Sequence, residues 1–271
     1  MNTRVPPLVG QAQPERSTLS VLVMTMPGLI LARLLILAAV LMLWEYGTDK
    51  KTQFWTSLPS GIGRALYGWI ADGSLWVHLG ATLTSMSLGY ILGCAVGIAS
   101  GLLLGLMPHL GRLVAPYIAA FYALPKIALA PLFVIMLGIG IESKVALVSI
   151  TVFFLVLNST LDGIRDIDRD LIQSLLLMGA TRSETTRKIV LPATLPWIFT
   201  GMRMAVRYAF TGTLLAELIA SNRGLGFLIE NASGSFDPTE AYAALVVLVA
   251  LSVAMTEILS ALERRFAKRN V

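Results

Sequence analysis

Six stretches of this chain, near residues 29–44, 79–107, 113–139, 145–161, 196–220 and 241–262, are apolar over lengths close to or beyond a membrane crossing. A helix needs about 20 residues to span about 30 Å of hydrocarbon. A soluble core rarely asks for such a run more than once. In lipid every backbone N–H and C=O must be satisfied within the chain, which leaves helices as the reading for runs of this length. The fold class is therefore an all-α membrane protein with about six transmembrane helices. Composition points the same way, with 56% apolar residues and 14% charged ones, against roughly 25% charged in ordinary soluble domains.

An even number of spans puts both termini on one side, and basic residues select the side. Arg4, Arg16, Arg112, Arg165, Arg169, Arg182, Arg187, Lys188, Arg264, Arg265, Lys268 and Arg269 fall in segments on the side of the termini; Lys50, Lys51, Arg64, Lys144 and Arg223 fall on the other. The termini are expected in the cytoplasm. The organisation is then an N-terminal tail (1–28), a transmembrane domain (29–263) with a large cytoplasmic loop (165–192), and a basic tail (264–271). The tail lacks the charged start and small-residue cleavage site of a signal peptide. A net charge of +5 could suggest nucleic acid, but the basic residues flank spans and never join aromatic residues in a stripe, so no nucleic-acid partner is expected.

Enzymatic readings find little. Cys94 is the only cysteine, so neither a disulfide nor a cysteine metal site can form. His78 and His109 flank the second run on opposite sides of the membrane and cannot share a metal or catalytic site. Each reads as a solvated side chain at the interface.

Gly89, Gly93, Gly97, Gly101 and Gly105 recur every four residues along the second run. Small residues in register let helices approach closely where lipid supplies no hydrophobic drive, so this face predicts a helix-packing surface. The third run contains Pro116, Pro125 and Pro131 and is expected to break near 123–130. Lys126 falls inside the break, either lining a cavity or snorkelling to the interface. Charges within spans are costly and commonly mark a pathway. Arg203 and Arg207 lie a turn apart on the fifth run, with Thr200 and Thr211 extending the same face. Arg203, Arg207, Thr211, Glu217 and Lys126 are the candidate pathway residues, with Glu217 and Glu257 as possible partners of the arginines. A loop holding Asn222, Arg223, Gly224 and Gly226 is expected to bring backbone into close contact near an external gate.

Residues 166–192, DIDRDLIQSLLLMGATRSETTRKIVLP, predict two short helices. Asp168 suits an N-cap, Leu171, Ile172, Leu175 and Met178 recur at helical spacing, and Gly179 can adopt the left-handed conformation that ends the first helix. Thr181 and Glu184 form a capping box for the second, which is expected to stop at Leu191 before Pro192. An exposed apolar face of this kind calls for a partner protein.

The stretch resembles the cytoplasmic loop of permease subunits of ATP-binding-cassette (ABC) importers, whose signature is E-A-A, three residues, Gly, nine residues, then I-x-L-P. Gly179, Ile189, Leu191 and Pro192 match, while Gln173, Ser174 and Leu175 replace E-A-A. From His78 to Arg265 the chain resembles the nitrate, sulfonate, taurine and bicarbonate branch, through the glycine ladder, LPKIALAPLFVIMLGIG, VLPATLPWIFTGMRMA and AELIASNRGLGFLI. The resemblance implies the type I importer permease fold in a bacterial inner membrane. It further implies a homodimer, two copies of a separate ATPase and a periplasmic or lipoprotein solute-binding protein. Asp170, Gln173, Ser174, Gly179, Ala180, Ile189, Leu191 and Pro192 would couple to the ATPase. No G-x-x-x-x-G-K-[ST] loop occurs, so no cofactor is expected in this chain, and ATP and Mg would be bound by the partner. The solute expected is small and anionic. The competing reading, a secondary transporter or channel needing no ATPase, lacks the duplicated halves common in such carriers.

Overall fold

The computed structural model describes residues 26–49, 52 and 55–267. The N-terminal tail to residue 25 with Arg4 and Arg16, and also Lys50, Lys51, Lys268 and Arg269, lie outside the described residues.

All regular elements among the described residues are helical. In chain order they are α1 (Met26–Gly47), α2 (Pro59–Ala71), α3 (Ser74–Leu106), α4 (Pro108–Ala123), a 3-10 turn (Lys126–Leu129), α5 (Ala130–Leu137) and α6 (Ile141–Arg165). There follow α7 (Arg169–Leu177), α8 (Arg182–Thr185), a π turn (Thr186–Val190), α9 (Leu191–Ile219), α10 (Leu225–Gly234) and α11 (Pro238–Ala267). Among the described residues, five helices are long and apolar enough to cross a membrane, and a sixth crossing results if the pair Pro108–Ala123 and Lys126–Leu137, bent by 84°, counts as one broken span. The break falls at Leu124 and Pro125, both extended, inside the interval that the prolines predict.

The chain forms two compact units, residues 1–60 and 61–271. In the first, α1 exposes apolar side chains such as Leu31, Leu35, Ile36 and Leu43 around its circumference, as a helix solvated by lipid does. Near its end, Glu45 accepts hydrogen bonds from the Ser60 backbone N–H (2.9 Å) and hydroxyl (2.7 Å), satisfying donors in the first turn of α2.

In the second unit α6 is the central helix, with α3 on one side and α9 on another. The five ladder glycines face Val148, Val152, Val156, Thr160 and Ile164, each four residues after the last. All five partners are β-branched, so each knob is stiff and fits a notch without a side chain. A Cβ at Gly93 would lie 2.6 Å from the Ser149 carbonyl oxygen, and one at Gly101 2.6 Å from Thr160 Cβ. Across α6, α9 buries Ile198, Gly201, Ala205, Ala209, Gly212 and Ala216. Val148, Val152, Val156, Ala205, Ala209, Met86 and Cys94 make one core cluster. Cys94 thus serves packing.

One expectation is corrected, and three features go beyond what was expected. The second helix of the 166–192 pair does not stop at Leu191. Arg182–Ile219 is one continuous helical run, because the π turn re-registers the backbone and leaves Pro192 in the first turn of α9, where a missing N–H costs little. The short helices α2 and α10 were not anticipated, since neither is long enough to register as a span. Spans also run past the apolar cores that mark them: α3 starts at Ser74 and α6 extends from Ile141 to Arg165. α11 runs on as helix to Ala267, into the basic tail that starts at 264, where Arg264, Arg265 and Ala267 are strong helix formers.

Candidate functional site

The α7–α8 pair is built from its caps inward. The Asp168 carboxylate accepts the Asp170 N–H at 2.8 Å. At the other end Ala180 N–H reaches the Leu175 carbonyl at 3.0 Å and Gly179 N–H the Leu176 carbonyl at 3.1 Å, while Gly179 takes φ 92°. This is a Schellman closure, which a residue with a Cβ would strain. Thr181 and Glu184 then cap each other, with Glu184 N–H donating to Thr181 Oγ1 (3.2 Å) and Thr181 N–H to Glu184 Oε2 (3.0 Å). The fixed turn holds Leu177 and Met178 outward at 89% and 83% exposure. Asp170, Gln173, Ser174, Gly179 and Pro192 are exposed around them; Ala180, Ile189 and Leu191 are half-buried.

A cleft of about 880 Å³ opens beside this pair, between α4 and the α3–α6 pair. Arg112, Asn158 and Arg165 line it, as does Ile172 of α7. Tyr122 borders this cleft and also a smaller cavity of about 310 Å³ at the helix break, where Lys126, Thr151, Tyr208 and Thr211 are found. The Lys126 ammonium donates to the Tyr122 carbonyl at 2.7 Å, an acceptor released where α4 ends. It lies 4.7 Å from the Tyr122 ring centre and 5.6 Å from that of Phe154, within the range of cation–π attraction.

The candidate pathway residues do not form one group. Lys126 and Thr211 meet at the smaller cavity. Arg203 and Arg207 share with Thr200 and Thr211 the exposed face of α9, opposite the small residues packed on α6. Glu217 lies elsewhere. Its residue exposure is 1%, and it accepts hydrogen bonds from the Thr82 hydroxyl (2.9 Å) and the Gly226 N–H (3.0 Å). Lys144 Nζ stands 3.9 Å from it and donates to the Arg223 carbonyl at 3.0 Å. The charge partner of Glu217 is thus Lys144 rather than an arginine, while Glu257 is exposed on α11.

This cluster also explains the loop before α10. Gly224, at φ 126°, and Gly226 fold backbone around the Glu217 carboxylate, and a Cβ on Gly224 would collide with it. Close approach at these glycines was expected; the carboxylate as its cause was not. His78 is a further correction. Its Nδ1 accepts the Gly224 N–H at 3.1 Å and its ring stacks on Phe227 at 5.8 Å, so it fixes the loop rather than standing in solvent. Arg112, Arg165 and Lys144 entered the sequence reading only as markers of topology, and Thr82 did not enter it. For the arginines a position beside a bent span was the available signal; for Lys144 and Thr82 there was none short of the fold.

An apolar helical bundle with Lys126 at a break in one span, and a capped helix pair with an exposed apolar tip, has the form of a membrane transport subunit. Residues 93–270 match the family of binding-protein-dependent transport system inner membrane components, and the chain belongs to that family. It is a multi-pass permease of an ABC importer. It is 35% identical over 195 residues to the taurine transport system permease protein TauC of Escherichia coli, covering 72% of this chain and 70% of that protein. It is 33% identical over 184 residues to the formylaminopyrimidine transport permease protein ThiX of Halalkalibacterium halodurans, covering 68% and 74%. Its fold is shared with the inward-facing MetNI methionine ABC transporter, at a TM-score of 0.60 and 20% identity over 75% of this chain and 97% of that one.

Proposed function

We propose that two copies of this chain form the membrane pathway of an ATP-driven importer for a small anionic solute. An external binding protein delivers the solute, and two copies of a cytoplasmic ATPase bind ATP and Mg and engage α7 and α8. Both termini then lie in the cytoplasm with the helix pair. The observation that carries this reading is the pair itself: capped at both helices, apolar at Leu177 and Met178, and uncovered among the described residues. Because α8 runs through the π turn into α9, a push on the pair reaches a span with no loop between to absorb it.

Arg203 and Arg207 on the exposed face of α9, and Lys126 at the helix break, favour an anion. The taurine permease among the relatives fits that choice, since taurine carries a sulfonate. The test is co-purification of the ATPase with tagged permease in detergent. The double substitution Leu177→Asp with Met178→Asp, at exposed sites that leave the caps intact, should reduce bound ATPase about tenfold and abolish ATP-dependent uptake. Undiminished ATPase binding and uptake would refute the coupling role and favour a carrier that needs no motor.

A further inference from the structure

We infer that His78 is a proton-released latch on the loop that leads into α10, so that acid on that face of the membrane frees the loop from the bundle. The site lies at the Lys144 end of α6, whereas α7 follows the Arg165 end. In the proposed orientation it faces outward, and that assignment of side is the one part that rests on the functional reading.

Three consecutive backbone N–H groups at the start of α10 are held by three side chains. Gly224 donates to His78 Nδ1 (3.1 Å), Leu225 to Thr82 Oγ1 (2.9 Å) and Gly226 to Glu217 Oε2 (3.0 Å). The first bond differs from the others. A backbone N–H only donates, so Nδ1 must be bare and the ring neutral, with its proton on Nε2. A proton on Nδ1 sets two donors head to head and ends the bond. His78 is half-buried, so solvent protons reach the ring while it stays stacked on Phe227.

The charges around the ring do not rescue its protonated form. Arg223, in the loop, acts on it with a like charge. Lys144, on α6, brings another, since its Nζ is held by the Arg223 carbonyl next to Gly224. Glu217, on α9, is already engaged by Lys144, Thr82 and Gly226. Asp72, just before α3, accepts the Ser74 N–H, and Glu142 on α6 and Glu230 on α10 are exposed. A freed imidazole takes up a proton near pH 6.5 or so, at about its ordinary value. Opening the loop thus binds a proton and closing it expels one. Below about pH 6.5 each further unit of acid favours the open loop by up to about tenfold, and the effect vanishes above that.

The test reads loop motion and protonation together, in the permease assembled with its ATPase in lipid nanodiscs. A nitroxide on Asn222→Cys, an exposed loop position, in a Cys94→Ala background, reports mobility by electron paramagnetic resonance. The chain has two histidines, so His109→Gln assigns the imidazole nitrogen resonances of isotope-labelled protein. With His78 intact, the Nε2–H tautomer should be present at neutral pH. The mobile fraction should rise at least about threefold between about pH 8 and pH 5, in step with protonation of His78. His78→Asn, whose amide oxygen stands in for Nδ1 and does not titrate, should hold the loop throughout. His78→Phe, which keeps a ring on Phe227 without the acceptor, should leave it mobile throughout. A loop that ignores pH, a release out of step with His78 protonation, or an undiminished response in His78→Asn would each overturn the inference. The first two are read with His78 in place and need no variant there to fold. Bound ATPase with a pH-silent loop defeats the latch alone. A permease that recruits no ATPase defeats the functional reading instead, and the loop measurement stands without it.

Discussion

A carboxylate with no exposed surface survives at membrane depth only when each oxygen is answered, and Glu217 shows the arrangement required. Thr82 and Gly226 supply hydrogen bonds from two other segments. Lys144 supplies the opposite charge, itself held by the Arg223 carbonyl. Removing one member of a buried pair strands the other, a loss of about 3–5 kcal/mol, whereas replacing both with apolar groups is often neutral. Glu217→Ala should therefore lower the melting temperature in detergent sharply, and Glu217→Gln less, because the amide oxygen can still accept from Thr82 or Gly226. Glu217→Leu combined with Lys144→Met should recover part of the loss. A double variant no more stable than Glu217→Ala alone would show that the pairing does not hold this end of the bundle together. Little of this was legible beforehand. Glu217 stood out as a charge in a span, but its partners lie far along the chain and only the tertiary fold joins them.

Helix contacts follow the same steric logic at the next scale. The four-residue glycine period of α3 is visible in sequence because glycine has no other reason to recur so regularly in a span. Its complement on α6 is not, since valines at that spacing are ordinary in any apolar helix. Nor was the small face of α9, where alanines alternate with Gly201 and Gly212 among larger residues. The caps of α7 and α8 were legible because Asp168, Gly179, Thr181 and Glu184 act over three or four residues of local backbone. The fusion of α8 with α9 was not, because Pro192 reads as a stop until the π turn before it is known. The ladder makes a graded prediction. Gly93→Ala places a Cβ 2.6 Å from the Ser149 carbonyl, which is backbone and cannot rotate away. It should destabilise the purified chain by about 1–3 kcal/mol in thermal unfolding. Gly63→Ala in α2, where a Cβ meets nothing within 4 Å, should be neutral or stabilising. Equal effects at the two sites would mean that the ladder is not under packing constraint.

For the molecule as a transporter, these contacts divide the second unit into a part that should stay rigid and a part free to move. α3, α6 and α9 are locked by small residues against β-branched ones, and such interfaces shift between discrete packings rather than deforming smoothly. α4 buries none of its residues, and the large cleft opens between it and the α3–α6 pair, its ring contact with α6 being Phe121 on Phe154 at 6.2 Å near the break. It ends in the break at Leu124 and Pro125, where the extended backbone can turn without losing helical hydrogen bonds. Opening and closing the pathway should therefore change the distance from α4 to the core more than any distance inside the core. Spin labels on one copy make this measurable at exposed sites. Leu103 on α3 and Asp162 on α6 form the internal pair, and Tyr117 on α4 with Asp162 the moving pair. Trapping the assembled importer with a non-hydrolysable nucleotide should move the Tyr117–Asp162 distribution by several ångströms and leave Leu103–Asp162 nearly unchanged. A shift in the core pair as large as that of α4 would place the hinge within the glycine ladder instead of at the helix break.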